Sequence, residues 1–277
     1  MLASPLLADP VAQAVAYLER EVPRWRPENN CFSCHNNGDG ARSLLLARAA
    51  GVTVKPEALR DSLEWLNRSA DWDAKPLARV QFAAVLAVAG PADDRLKEAA
   101  ELVAGHQLDD GHWQVDEESG PGSPVTYGPV LGTWMAIRVL RDAGAEAHRE
   151  RIGRALDWIR ARRTVHALDV AARVWALGED AEIRRLLAMQ GSSGSWNGEP
   201  FDTAIAMLAL AAHQHAGPHM KRARDYLVST QLEPGGWPGT TRPAGGPSYA
   251  QQISTSAWAL MALLAVPQQT AANRPRW

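Results

Sequence analysis

Gln231-Leu-Glu-Pro-Gly-Gly-Trp237 follows the charged, helix-forming run Arg222–Thr230. After a loop comes Ser254-Thr-Ser-Ala-Trp-Ala-Leu-Met-Ala-Leu263, which is almost wholly apolar. The same order recurs twice upstream. Gln190-Gly-Ser-Ser-Gly-Ser-Trp196 stands between Ile183–Met189 and Asp202–Leu210, and Gln107-Leu-Asp-Asp-Gly-His-Trp113 stands between Ala99–His106 and Leu131–Leu140. Fainter copies pair Glu57–Arg68 with Pro76–Ala89, Arg151–Arg162 with Ala167–Leu177, and Val11–Glu21 with Ala41–Ala50. Six helix pairs at a spacing of about 45 residues account for nearly the whole chain.

The two helices of a pair differ in character. The first carries charges on one face, as at Arg222, Arg224 and Asp225, which suits an outer helix facing water. The second is apolar all round, as at Phe82–Val88 and Ala204–Ala211, which suits an inner helix with neighbours on every side. An open stack would need polar capping repeats, yet the last inner segment, Ser256–Val266, is among the most apolar. Closing the last repeat on the first buries it. The expectation is an all-α chain, an α/α toroid of six helical hairpins forming one domain over residues 1–277.

The Gln-to-Trp turns read first as structural. Gln at the end of an outer helix can satisfy backbone groups at the start of the next. Gly permits the tight turn, and Trp113, Trp196 and Trp237 can cover the neighbouring repeat. Thr203 and Thr255 stand where inner helices begin and read as helix caps.

The chain's two cysteines both fall in Cys31-Phe-Ser-Cys34-His35, a C-x-x-C-H sequence within the loop 27–40 of the first pair. This is the attachment pattern of a c-type haem. Two thiols three positions apart can form thioethers to one haem, and the adjacent imidazole becomes the axial iron ligand. Cys31, Cys34 and His35 are therefore the candidate cofactor-binding residues, with His35 on the iron. A second axial ligand could come from His106, His112, His166, Met135 or Met207, with no spacing that selects one. Zinc is the alternative, since Cys, Cys and His are good zinc ligands. A fourth ligand would then be water or a carboxylate such as Asp39. A local disulfide or redox dithiol also remains open, although no βαβ pattern accompanies the pair.

Lysine plus arginine total 29 and aspartate plus glutamate 31, for a net charge of −2, so no basic excess points to nucleic acid. The longest apolar runs are too short to span a membrane. Residues 1–10 lack the basic and long apolar regions of a secretory signal. A haem c protein is exported, so the expectation is a periplasmic or otherwise exported protein whose signal has been removed.

The Gln-x-Gly-x-Trp turns and the inner helices that follow resemble the QW repeats of squalene–hopene cyclases and the repeats of protein prenyltransferase β subunits, over about residues 50–265. The resemblance implies an α/α toroid with a pocket or funnel at one end, but not the reaction. Cyclases of that family protonate their substrate with an Asp-x-Asp-Asp-Thr motif. The comparable segment here is Glu199-Pro-Phe-Asp-Thr-Ala204, in which Phe201 takes the place of the central proton donor. With three Phe and four Tyr, the aromatic lining that steers carbocations reads as thin. The prenyltransferase zinc pattern of Asp-x-Cys with a late His has no counterpart, and only Cys34-His35 echoes the lanthionine cyclases. Cys31–His35 followed by Leu44–Gly51 is similar to a group of bacterial squalene-cyclase-like repeat proteins, in which C-x-x-C-H precedes the first inner helix.

Three functions follow as expectations. The first is a periplasmic c-type haem protein, engaged in redox or haem-based small-molecule chemistry with a redox partner or a small hydrophobic molecule. The second is a terpenoid-cyclase-like or isoprenoid-binding protein, with Asp202, Glu199 and Asp169 near the pocket. The third is a zinc protein using the same Cys, Cys and His. Glu117–Pro124 and Pro234–Tyr249 are Gly- and Pro-rich and both enter inner helices, so they are candidate lids over residues 27–40. Trp72, Asp73, Lys75, Tyr127, His166 and Asp169 occupy the equivalent entry positions in other repeats.

Overall fold

A computed structural model describes residues 9–115, 127–215, 217–240 and 248–266. The six hairpins are α1 (Pro10–Asn29) with α2 (Ala41–Ala49), α3 (Glu57–Leu66) with α4 (Pro76–Ala89), α5 (Asp94–Ala104) with α6 (Gly128–Gly144), α7 (Arg149–Ala161) with α8 (Ala167–Leu177), α9 (Asp180–Ala188) with α10 (Pro200–Ala212), and α11 (Pro218–Thr230) with α12 (Tyr249–Ala265). The even-numbered helices form an inner ring. Each packs on the next from α2 through α12, and α12 packs back on α2. The odd-numbered helices form the outer ring, each laid against the inner helix before it, with α1 on α12 completing the circuit. The toroid expected from the repeats is the fold observed.

Burial follows the difference in composition. The outer helix α7 buries only Ile152, Ala155 and Ile159, whereas the inner helix α10 is buried from Pro200 through Leu210. The three Gln-to-Trp turns are built alike. The amides of Gln107, Gln190 and Gln231 each donate to the carbonyl of their own turn, Gly111, Gly194 and Gly235. Each also donates to a carbonyl at the start of the next outer helix: Arg151 at 2.8 Å, His219 at 2.9 Å and Pro10 at 2.9 Å. The last bond joins the final repeat to the first. Gly235 lies at φ +98° with the Gln13 carbonyl against its Cα, so a side chain there would strike α1.

Trp113, Trp196 and Trp237 are fully buried, and each indole donates at 2.7 Å to a carbonyl of its own outer helix, Val103, Leu186 and Leu227. Their backbone N–H groups go to Thr133, Thr203 and Ser256 on the inner helices. This corrects the capping expectation for the inner-helix hydroxyls. The starts of α10 and α12 are at Glu199 and Ser248, several residues earlier, and Ser248 with Gln251 forms the capping box of α12. Thr203 and Thr255 lie within the helices; Thr203 and Ser256, the neighbour of Thr255, fasten the turns, while the Thr255 hydroxyl is buried without a hydrogen-bond partner among the described residues. The first outer helix is also longer than its repeat pattern. It continues through Pro23 and Pro27 to Asn29, its last turns held by stacking of Trp25 on Tyr249 and by Asn29 on the Trp25 carbonyl.

Candidate functional site

The segment between α1 and α2 enters the inner ring through a π-helical turn, Cys34–Gly40. Ser33 caps it, its hydroxyl accepting from the N–H groups of His35 and Asn36. Asn36 donates to the Glu21 carbonyl and to Tyr249, and Asn37 donates to Ser62. Phe32 stacks on Trp65 at 4.4 Å under the Arg26 guanidinium, and the Trp25 indole donates to the Cys31 sulfur at 3.3 Å. The loop is thus fixed by α1, α3 and α12 together. Gly38 and Gly40 lie against Gln81 and Val22, which sets the depth of the turn.

This turn delivers Asp39 to the axis of the ring, 1% exposed. Tyr127 donates to one carboxylate oxygen at 2.6 Å. Gln81 (2.8 Å), Ser254 and the Trp258 indole (3.3 Å) donate to the other. The four donors come from α4, the entry to α6, and α12. Burial pushes the Asp39 carboxyl above its ordinary range, while Ser254, Tyr127, Arg42 and Gln81 pull against that rise. Burial favours the neutral acid, and the donors receive the carboxylate if the proton leaves.

An aromatic layer lies beneath. Trp258 meets Tyr127 (5.5 Å), Phe201 (6.2 Å) and Trp175 (6.2 Å) edge to face, and Trp175 lies 6.3 Å from Trp134. The lining that a count of Phe and Tyr made thin is therefore supplied mainly by tryptophan. Phe201 does face the axis, as its place in the repeat implied, with its ring 6.1 Å from Tyr127. The axial carboxylate comes instead from the π-helical turn that precedes the first inner helix. Asp202, which follows Phe201, is buried and accepts from Asn197 at 2.6 Å. In the sequence alone Asp39 stands out only as a possible fourth zinc ligand. Its position at the entry of an inner helix was the available signal.

Cys31 and Cys34 are both free, the first exposed and the second half-buried. Burial pushes the Cys34 thiol up to about 12 and holds the His35 imidazole down to about 4. His35 is 6% exposed, and its Nε2 has no hydrogen-bond partner among the described residues. Its Nδ1 lies 3.4 Å from Ser33 Oγ and 3.5 Å from Cys34 Sγ. A proton on Nδ1 can rest on either neighbour and leave the Nε2 lone pair free, as an axial iron ligand requires. The donor set fits a c-type haem in this respect. Among the described residues no three His, Cys, Asp or Glu side chains gather to hold a metal ion, so zinc finds no ready-made site.

The other expected residues are scattered. His112 stacks on Trp158 at an outer turn, His106 pairs with Arg79, Met207 lies in the core of α10, and His166 precedes α8. Met135 contacts Arg42. Of the entry residues, Tyr127 is at the axis, and Asp73 and Lys75 act electrostatically on Cys34. Most of the two candidate lids lies outside the described residues. No described helix is long and apolar enough to cross a membrane.

No protein-family model and no curated protein matches this chain. Solved structures do. A protein from Actinoplanes is 17% identical with a TM-score of 0.59, over 92% of this chain and 98% of its own. The R337A variant of the type II terpene cyclase MstE from Scytonema, in complex with geranylgeranyl dihydroxybenzoate, is 16% identical with a TM-score of 0.58, over 92% and 96%. The ent-copalyl diphosphate synthase from Streptomyces platensis is 19% identical with a TM-score of 0.53, over 81% of this chain and 49% of that one. The chain shares the toroid of type II terpene cyclases.

Proposed function

We propose that the protein takes a hydrophobic molecule of the isoprenoid class at the axis of its toroid, with Asp39 as the acidic group that meets it. The observation carrying this reading is the buried Asp39 carboxyl, raised above its ordinary range and set over a layer of tryptophan rings. MstE was solved with a geranylgeranyl compound in the same fold, which supports the ligand class.

The chemistry follows from the surroundings. Neutral Asp39 would donate its proton to a carbon–carbon double bond, leaving a carbocation on the ligand and a carboxylate on the protein. Tyr127, Ser254, Gln81 and Trp258 would hold that carboxylate. The faces of Trp258 and Trp175 would stabilise the cation. A second double bond of the ligand would then attack that cation, closing a ring and passing the charge to its own far carbon. Loss of a proton beside that carbon would give the cyclised isomer, and Asp39 would regain its proton from solvent. Tyr127 and Trp258 close over Asp39 in this structure, so entry requires those rings to move. The test is incubation with squalene and with geranylgeraniol in deuterated water, followed by mass analysis. A cyclic isomer carrying one deuterium, absent with Asp39→Asn, is the expected product. Recovery of both probes without deuterium argues against the acid role.

The unpartnered Nε2 of His35 favours a second reading, a c-type haem on Cys31 and Cys34 with His35 as axial ligand. Bound haem would supply one-electron or small-molecule chemistry beside the axial site, and the protein would then mature outside the cytoplasm. Zinc on the same residues is the weaker alternative for this loop. Protein exported from a host with haem-maturation machinery should show c-type haemochrome absorption and the mass of one attached haem. Apoprotein mass from that host would remove the reading.

A further inference from the structure

Arginines of α2 and α6 make one part of the inner ring cationic. Three guanidinium groups lie over three tryptophan rings: Arg42 of α2 over Trp258 at 5.0 Å, Arg138 of α6 over Trp175 at 5.1 Å, and Arg141 over Trp134 at 5.2 Å. Between α2, α4 and α6 they leave a recess open to solvent, with Arg42, Met135, Arg138 and Asp142 among its lining. Ala84 and Val88 form an apolar wall. Arg42 is 3% exposed at the floor, Arg138 is half-buried, and Asp142 is exposed at the rim.

The hydrogen bonding of this recess is incomplete. Arg42 Nε and Arg138 Nη1 are buried and have no partner among the described residues. The Arg42 Nη1 contact is to the Met135 sulfur, a weak acceptor, at 4.0 Å. Buried donors are nearly always paired, and a charged one left unpaired is costly. The two guanidinium groups also repel each other. Burial first, and then Arg42, hold the Arg138 guanidinium down to about 9. Two cations from different helices thus share one small, otherwise mostly apolar opening with donors to spare, and Asp142 is the carboxylate of its lining.

We propose that this recess binds a phosphate group, held between Arg42 Nε and Arg138 Nη1. A tetrahedral oxyanion presents several acceptors, enough for donors approaching from two helices, and it neutralises the charge that the recess confines. The tryptophan faces behind the guanidinium groups orient them without using their N–H donors. The recess adjoins the axial site through Arg42 and Trp258, since Arg42 also acts on Asp39, but it takes a ligand of opposite character. The phosphate could be a free ion or the head of an ester.

The experiment is calorimetric titration of the full chain with inorganic phosphate and with methyl phosphate, at constant ionic strength set by potassium chloride. Saturable one-to-one binding is expected. Tighter binding of inorganic phosphate assigns the site to the free ion, and tighter binding of methyl phosphate assigns it to an ester. Arg138→Gln should weaken binding at least tenfold. Asp142→Asn, at the exposed rim, should tighten it about threefold or more by removing the opposing charge, and this variant does not disturb the buried floor. Absence of saturable binding with both probes overturns the proposal. So does unchanged affinity in Arg138→Gln, or unchanged or weaker affinity in Asp142→Asn.

Discussion

Gly235→Ala tests whether the ring closes through α1. The glycine stands at φ +98°, and an added Cβ would meet the Gln13 carbonyl and carbon of α1, and Tyr17 Cβ at 3.3 Å. Two costs arise. An L side chain in this region costs roughly 1–2 kcal/mol, and forcing a methyl group into a packed contact costs about 1–3 kcal/mol more. The lower entropy of the unfolded alanine chain returns about 0.4–1 kcal/mol. The net loss is about 3 kcal/mol. Gly51 supplies the control. It has φ +87° and nothing within 4 Å of a built Cβ, so Gly51→Ala bears the backbone cost alone, about 1 kcal/mol net. Urea unfolding followed by far-UV circular dichroism measures both. The difference of about 2 kcal/mol between the variants reports the contact between the last turn and the first helix. Equal losses would refute the packing of α1 against the last turn.

Gln231→Ala, which removes two charge-neutral hydrogen bonds including that to Pro10, should cost about 1–3 kcal/mol in the same assay. Trp196→Phe keeps most of the buried ring but leaves the Leu186 carbonyl without its indole donor, and should cost about 1–3 kcal/mol. Asp39 gives a pH prediction. Its folded-state pKa is raised above the ordinary value, so its contribution to stability is fully present below about pH 4 and is lost as pH rises through the folded value. Wild type should therefore lose stability relative to Asp39→Asn between pH 4 and 7. A constant or widening advantage of wild type over that window would contradict the shift. With haem-maturation machinery present, Cys31→Ala/Cys34→Ala should abolish any covalent haem, read as apoprotein mass.

The toroid was legible because its fastening is local. Gln and Trp lie six positions apart in each turn, so Gln107–Trp113, Gln190–Trp196 and Gln231–Trp237 announce themselves within short windows. The outer and inner roles were legible too, since one set of helices carries charge and the other does not. Asp39 was not legible as an acid. It sits in Asn36-Asn-Gly-Asp-Gly40, a composition that reads as a turn, and its partners Gln81 and Trp258 are 42 and 219 residues away. Packing of the second hairpin on the first brings Gln81 to it, and closure of the ring brings Trp258. The same applies to Arg42, which reads as an ordinary helix charge until α12 places Trp258 beneath it. Counting Phe and Tyr misjudged the axis because tryptophan fills both roles here, fastening the turns and lining the centre. Cys31-x-x-Cys34-His35 was visible as a pattern, but the burial of the imidazole and its unpartnered Nε2 are properties of the packed loop.

The most direct measurement is a crystal structure of the protein soaked with geranylgeraniol. The account predicts a prenyl chain against Trp258 and Tyr127, with one of its double bonds in contact with the Asp39 carboxyl. A chain bound only outside the inner ring, with Tyr127 and Trp258 still closed over Asp39, would contradict it.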